Sequence, residues 1–359
     1  MPAEAVPQLE EVAAVTQRLA VLLSAGVSPV SAWGYLLPAR DATAGSGTEP
    51  ITAGWRGSPP PSRAVSATTG ILRAAARAAT RGDSVADAIA GQARRQAGEH
   101  RPAGGVRPAP SSARAGRRGD SAGQAESAWL GLAAAWQVAT QAGAPLAGCL
   151  RELAASLREL SQVQRDLEVA LAAPRATARL VMVLPVIGVL FGSLMGFDSL
   201  RTLFATVPGL VCLGGGALLM LAAASWSRTL VRRAAPTELT PGLRLELMAI
   251  AMSGGGSVDR SRALVHAAVG RYGITSDSDV DPIDRVLALS IRAGVPAAEL
   301  LRSEAEQLRR DARNAGARRA ATLSVTLMLP LGLCVLPAFM LVGVVPLLIS
   351  VLSSTLTTF

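Results

Sequence analysis

The chain has 359 residues, of which half are hydrophobic, 17% are charged and 3% are aromatic; its net charge is +9, and all 35 basic residues are arginine. Because the chain has no lysine, it contains neither a G-x-x-x-x-G-K-[ST] phosphate loop nor a Schiff-base lysine, which excludes a P-loop ATPase. Three widely separated cysteines and two histidines also exclude a disulfide framework and the H-E-x-x-H zinc motif.

The first region combines helical segments with two insertions. Val12, Val15, Leu19 and Leu22 follow a helical period, and the acidic start of the chain does not resemble a secretory signal. We expect residues 1–37 and 67–97 to form a first cytoplasmic helical hairpin region. Residues 38–66 and 98–127 are rich in small and polar residues and are predicted to be disordered insertions.

The second insertion carries several arginines, a composition that could bind nucleic acid or anionic lipid. It has no aromatic residue on which bases could stack, so no nucleic-acid partner is expected. A solvated basic linker is the interpretation that we favour.

Residues 128–176 are predicted to form a cytoplasmic helical hairpin. An apolar stripe at helical spacing, with charged residues on the opposite face, supports its second helix. The stripe consists of Leu146, Leu150, Leu153, Leu157 and Leu160.

Two long apolar segments follow, and each is long enough to cross a bilayer. We expect transmembrane helices at 178–198 and 203–227, joined by a short turn. Arginines lie before the first helix and after the second, which places both flanks in the cytoplasm and predicts a multi-pass protein of the cell membrane with cytoplasmic soluble parts.

Residues 236–318 are predicted to form a second cytoplasmic helical domain. Asp277, Asp279, Asp281 and Asp284 resemble a calcium loop, but Pro282 and Ala288 stand where an EF-hand needs Gly and Glu. Asp281 and Pro282 are better explained as the cap and first residue of a helix. We therefore expect no catalytic residue, no metal and no cofactor.

The last apolar stretch, 320–352, is predicted to be a transmembrane segment. It contains Pro330, Pro337 and Pro346, and so fits either one kinked span or two shorter ones.

A short motif of glycine followed by proline or a polar residue recurs along the chain. We interpret its glycines as structural hairpin turns, because glycine commonly follows a helix end and proline begins the next helix. These glycines are Gly26, Gly143, Gly254 and Gly294. Their order predicts an all-α membrane protein with two tandem cytoplasmic helical-bundle units, each followed by transmembrane helices.

This pattern resembles the F family of type II secretion inner-membrane platform proteins, and in particular the TadB/TadC proteins of tight adherence (Flp) pilus assembly. The resemblance rests on RLAVLLSAGVSPVSAW at 18–33, RGDSVADAIA at 81–90, QAGAPLAGCLRELAASLRE at 141–159 and LSIRAGVPAAELLRSEAEQLRRDA at 289–312, followed by LMLPLGLCVLPAFMLVGVVPLL at 327–348. Members often carry glutamate where this chain has Gln141.

The resemblance implies a non-enzymatic platform that couples a separate secretion or pilus ATPase to the assembly of pilin-like subunits. It also implies other platform subunits as partners, in a homo- or hetero-oligomer in the lipid bilayer. The alternative is a membrane transport protein or permease-like subunit. A transporter is expected to bury charged residues within its spans, whereas the apolar runs at 180–197, 202–227 and 320–359 contain none.

Overall fold

The computed structural model describes residues 6–38, 63–99, 113–162, 207–234, 242–274 and 282–345, together with residues 165, 166, 169, 187 and 348. All regular secondary structure in this part of the chain is helical. The chain divides into two compact units. The first contains Met1–Gln164 and Glu238–Ala312, and the second contains Arg165–Thr237 and Arg313–Phe359.

The helices are numbered here in chain order. Six precede the apolar region, namely α1 Val6–Ser24, α2 Pro29–Tyr35, α3 Arg63–Arg81, α4 Val85–Glu99, α5 Ala113–Ala142 and α6 at 146–162. Five more follow, namely α7 Val207–Ala234, α8 Leu243–Ser253, α9 Val258–Tyr272, α10 Pro282–Ala293 and α11 Ala297–Thr326. The second half of the chain therefore contributes helices to both units.

Three helix pairs, rather than two, precede the apolar region. The pairs are α1–α2, α3–α4 and α5–α6. The expectation of a disordered insertion at 98–127 needs correction at its C-terminal end, because α5 already begins at Ala113. Residues 113–127 contain four alanines and no proline, which permits a helix there, although they also contain three glycines, which are poor helix formers. The predicted insertion at 38–66 lies mostly outside the described residues, and 63–66 belong to α3.

Helix α5 lies at the centre of the first unit. It packs against α1 and α4 from the first half and against α8 and α9 from the second half. From residue 128 to residue 139 nearly every side chain is buried, including Trp129 and Trp136. Most of the others are alanine, and such small side chains let helices approach closely on several sides. Trp136 packs on the buried Trp33 of α2, with ring centroids 5.1 Å apart.

The turns between paired helices have a common geometry. Gly26, Gly143 and Gly294 adopt left-handed φ values of 85°, 69° and 67°. In the α8–α9 turn the left-handed residue is Gly255, whereas Gly254 has φ −78° and ends α8. The α3–α4 turn uses Gly82 in the same way, although the sequence analysis did not single it out.

Gly254 is needed for a different reason, which is close packing. A Cβ atom placed there would overlap the carbonyl oxygen of Ala142, at the end of α5. Immediately before α8, a Cβ at Gly242 would lie 2.8 Å from the carbonyl oxygen of Ala305 in α11. Both glycines therefore allow second-half helices to approach other backbones closely.

The second unit contains α7 and the segment 328–345 that continues α11. The two pack through small residues, since a Cβ at Gly216 would overlap Val342. Within the segment, Leu331–Val335 and Met340–Val344 are π-helical. These wider turns follow Pro330 and Pro337, each of which lacks an N–H for the helix hydrogen-bond ladder.

Much of the apolar surface of the second unit is exposed. By length and composition, Pro208–Ser227 and a window within Ala297–Val344 could cross a membrane, and only 22% and 24% of these windows is buried. Exposed apolar helices of this length are typical of contact with lipid rather than of a soluble core. The predicted span at 178–198 lies outside the described residues except for residue 187.

We predict that Gly254→Ala destabilises the bundle by about 1–3 kcal/mol, because the new methyl group overlaps the Ala142 carbonyl and forces α8 away from α5. Gly91→Ala in α4 is the matched control. It meets no atom within 4 Å and is expected to be neutral or to stabilise by up to about 1 kcal/mol. Thermal unfolding followed by circular dichroism measures both. Equal melting temperatures for Gly254→Ala and the wild type would contradict the close contact.

Candidate functional site

Two groups of polar side chains join the first half of the chain to the second half inside the first unit. The first, here called the end cluster, consists of Asp87, Gln137, Arg271 and Tyr272. Asp87 lies in the first turn of α4, where its backbone N–H bonds the Ser84 hydroxyl. Arg271 and Tyr272 are the last two residues of α9. The cluster therefore joins the start of one helix to the end of another.

The geometry of the end cluster is bidentate. Arg271 donates from Nε and Nη2 to the two Asp87 carboxylate oxygens, each at 2.7 Å. The Tyr272 hydroxyl donates to Gln137 Oε1 of α5, and its oxygen lies 3.2 Å from Asp87 Oδ1. The Arg94 guanidinium donates to the Arg271 carbonyl oxygen at 3.0 Å. The cluster and Arg94 thus hold α4, α5 and α9 together.

The electrostatics of the end cluster favour its charged form. The hydrogen bond from Arg271 holds the pKa of the Asp87 carboxyl below its usual range. Burial raises the pKa of Tyr272 to about 12, so the hydroxyl stays protonated and remains a donor. An open cleft of about 370 Å³ lies beside the cluster, lined by Asp83, Ser84, Trp136, Thr140 and Gln141.

The second group, here called the buried cluster, consists of Glu152, Glu246, Arg302 and Arg309. Glu246 of α8 is almost fully buried and pairs with Arg309 of α11. Glu152 of α6 pairs with Arg302 of α11, with Oε2 3.2 Å from Nε. Two carboxylates from different halves thus face two arginines of the same helix.

Glu152 is the group most perturbed by its surroundings. Burial and the neighbouring Glu246 carboxylate raise the pKa of Glu152 to about 7. The negative charge of the nearby Glu246 carboxylate disfavours a second charge at Glu152, so Glu152 keeps its proton to a higher pH than a free glutamate. Burial also raises the pKa of the neighbouring Cys149 thiol to about 11, so this cysteine is not a nucleophile near neutral pH.

The Glu246–Arg309 pair has a counterpart in the first half. Nine of the seventeen residues in 142–158 recur at the matching places in 293–309, and this match pairs Arg158 with Arg309. Arg158 of α6 reaches Gln17 of α1, with Nη1 3.4 Å from Oε1. Glu246 and Gln17 therefore accept hydrogen bonds from arginines at matching places in these two stretches.

The α1–α2 and α8–α9 turns also match residue by residue. Gly26 and Gly255 are the left-handed residues, two places before Ser28 and Ser257. Each serine caps the following helix, accepting from the backbone N–H of Ser31 or Arg260. Both turns are therefore formed by the same sequence feature, a left-handed glycine followed two residues later by a capping serine.

These clusters position helices, and their arrangement offers no reaction centre among the described residues. The arginines hold carboxylates, and the one perturbed cysteine is a buried neutral thiol. Pro282 begins α10 and Asp284 lies in its first turn, paired with Arg262 of α9. The aspartates at 277, 279 and 281 lie outside the described residues.

The sequence analysis missed both clusters. Glu246 could have been noticed, because it is the one acidic residue within the apolar run LRLELMAIAMS. Asp87 and Arg271 gave no signal, since charged residues at helix ends are usually solvated.

We predict that Arg309→Met destabilises the first unit by about 3–5 kcal/mol, because it leaves the buried Glu246 carboxylate without its counter-charge. Arg310→Met is the matched control one residue along the same helix. Arg310 pairs with Glu306 on the exposed surface, and its loss is expected to leave the midpoint nearly unchanged. Chemical denaturation compares the two, and equal midpoints would contradict the role assigned to Arg309.

We also predict that Glu152 makes the stability of the fold fall as pH rises. Its pKa is raised in the folded protein, so its contribution is complete below about pH 4.5 and is lost as pH rises through about 7. Glu152→Gln cannot ionise and should remove this dependence, giving a variant more stable than the wild type at pH 8. Melting temperatures measured from pH 5 to pH 8 test this. A wild-type slope of the opposite sign would contradict the raised pKa of Glu152.

The comparison with protein families gives one match. Residues 241–345 match the family model described as Type II secretion system (T2SS), protein F. The matched segment contains α8–α11 and most of the apolar segment that follows, and so includes Glu246, Arg302 and Arg309 of the buried cluster. Searches of curated proteins and of solved structures returned no match. The second half of this chain is therefore similar to type II secretion system protein F, a family of non-catalytic membrane platform proteins.

Proposed function

We propose that this protein is a non-enzymatic inner-membrane platform of the TadB/TadC type, which couples a separate cytoplasmic secretion ATPase to the assembly of pilin-like subunits in Flp pilus formation. The family match over residues 241–345 is the observation that carries the proposal. The two long apolar helices support it, because a platform needs a membrane anchor.

An internal duplication is part of this proposal. The equivalent turns at Gly26 and Gly255 and the equivalent bonds Arg158–Gln17 and Arg309–Glu246 support it. We propose that Gly26, Gly143, Gly254 and Gly294 are its hairpin turns, with Gly255 supplying the left-handed residue of the third. The first half then contains an additional pair, α3–α4, for which the second half has no equivalent between α9 and α10.

The proposed location is the cell membrane, with several spans and with the soluble parts in the cytoplasm. The arginines that flank the apolar segments support this orientation. A cysteine introduced at Ala235 should resist a membrane-impermeant thiol reagent in intact cells and react after permeabilisation. Strong labelling in intact cells would overturn the orientation.

The mechanical part of the proposal concerns α11. Arg302 of α11 pairs with Glu152 from the first half of the chain, and Arg309 of α11 pairs with Glu246 from the second half. Helix α11 itself continues into the apolar segment. A helix held in this way can transmit a rigid-body displacement. We propose that displacement of the bundle by the ATPase moves α11.

Deletion of the gene tests the function. We expect loss of surface pili or secreted substrate, with the ATPase and pilin subunits still present in normal amounts. Gly294→Val should reproduce much of this defect at a normal membrane level, because Gly294 has φ 67° and a β-branched residue is strained there. Gly270→Ala is the control, since this exposed helical glycine has no atom within 4 Å of an added Cβ.

A transport protein or permease-like subunit is the alternative. It predicts that the deletion strain assembles pili normally but loses uptake or export of a small molecule. Normal pilus and secretion output in the deletion strain would therefore reject the platform proposal.

A further inference from the structure

The face by which α5 binds the second half has a counterpart on α10 that is exposed. In the match of 142–158 with 293–309, continued back along the preceding helices, Val138 corresponds to Leu289 and Ala134 corresponds to Arg285. Val138 and Ala134 are fully buried in α5. Leu289 is 44% exposed and Arg285 is also exposed. A surface that is covered in the first half is therefore open in the second.

Another face of the same two helices is buried in both halves. Leu132 and Ala135 of α5 correspond to Ile283 and Val286 of α10, and all four are buried. Helix α5 packs on α1, and α10 packs on α8, which is the counterpart of α1. The exposure of Leu289 thus reflects a missing neighbour and not a general loss of packing around α10.

The helix that covers the matching face of α5 indicates which kind of helix would cover α10. Helix α8 packs on α5, with Leu243 Cδ2 3.4 Å from the position of a Cβ at Gly131 and with Gly254 against Ala142. Both contacts advance in the same direction along the two helices, so α8 and α5 run parallel. Leu247 and Ile250 lie between these contacts on the same face of α8 by helical spacing, and both are fully buried.

The residues of α1 that match Leu247 and Ile250 of α8 are exposed as well. The match of the two turns pairs Ile250 with Val21 and Leu247 with Arg18. Val21 is 51% exposed and Arg18 is exposed. Among the described residues, the α8–α5 contact is therefore made, whereas both sides of the matching α1–α10 contact are exposed.

Charge decides what can cover α10. If a second copy placed its α1 on α10 as α8 lies on α5, Val21 would meet Leu289 favourably. Leu247 lies one turn after Leu243, and Ala134 lies one turn after Gly131, so these two residues are neighbours where α8 contacts α5. Arg18 and Arg285 occupy the matching positions and would therefore stand beside each other. Two arginines at an interface repel each other and disfavour the pairing.

We propose that the exposed face of α10 around Leu289 and Arg285 docks an α1-like helix of a different subunit, which is apolar opposite Leu289 and carries a carboxylate opposite Arg285. The arginine pair prevents a second copy of this chain from occupying the same face. The proposal rests on the internal duplication proposed above and on the packing of the described helices, and not on the secretion role.

The experiment uses two differently tagged full-length populations in detergent, with Val21→Cys in one and Leu289→Cys in the other. The native cysteines at 149, 212 and 334 are buried and give little background. The Arg18→Glu version of the Val21→Cys chain stands in for the carboxylate-bearing partner. We expect about tenfold more disulfide-linked heterodimer with Arg18→Glu than with Arg18.

Two controls make the result specific. Adding Arg285→Glu to the Leu289→Cys chain places two carboxylates together and should return the heterodimer yield to that of the arginine pair. In the second control, a chain with His266→Cys, on the exposed face of α9, takes the place of the Leu289→Cys chain. With this chain, Arg18→Glu should not increase the yield of heterodimer. Circular dichroism of each variant confirms that these exposed substitutions leave the helices folded.

The alternatives give distinct outcomes. Equal heterodimer yields with Arg18 and Arg18→Glu would mean that a second copy occupies the face, which overturns the charge argument. If every combination gives no more heterodimer than the His266→Cys control, α10 does not dock an α1-like helix, and the proposal is overturned.

Discussion

The close approach of α8 to α5 is the constraint on which the first unit depends. Gly254 permits it, because any side chain there would overlap the carbonyl oxygen of Ala142. Once the two helices touch, the small residues of α5 are buried between helices from both halves of the chain. The distance between the halves is then fixed by backbone contact, and the polar clusters are built on that fixed spacing.

The two polar clusters connect different helices of the first unit. The end cluster joins α4 to α9 through exposed and partly buried groups, so its net contribution to stability is modest. The buried cluster places Glu246 in the interior beside Arg309, where loss of one partner is costly. The raised pKa of Glu152 makes the buried cluster sensitive to pH near neutrality. The end cluster is not, because the pKa of Asp87 is lowered.

Local patterns in the sequence predicted local structure well. The left-handed glycines at 26, 143 and 294 were visible from the residues around them, and the family match supports the coarser assignment made from the same motifs. The early start of α5 and the turn at Gly82 were missed because composition does not separate a linker from an alanine-rich helix. Glu246, Asp87 and Arg271 meet partners far away along the chain, and no local pattern encodes such contacts.

The central claim is that the two halves form one cooperative bundle around α5. Native-state hydrogen exchange of full-length Arg309→Met tests this claim directly. The substitution lies in α11, and we expect amide protection to fall in α5, over residues 128–142, together with α8. If protection is lost only in α8 and α11 while α5 keeps its wild-type exchange, the halves are energetically independent and the account is wrong.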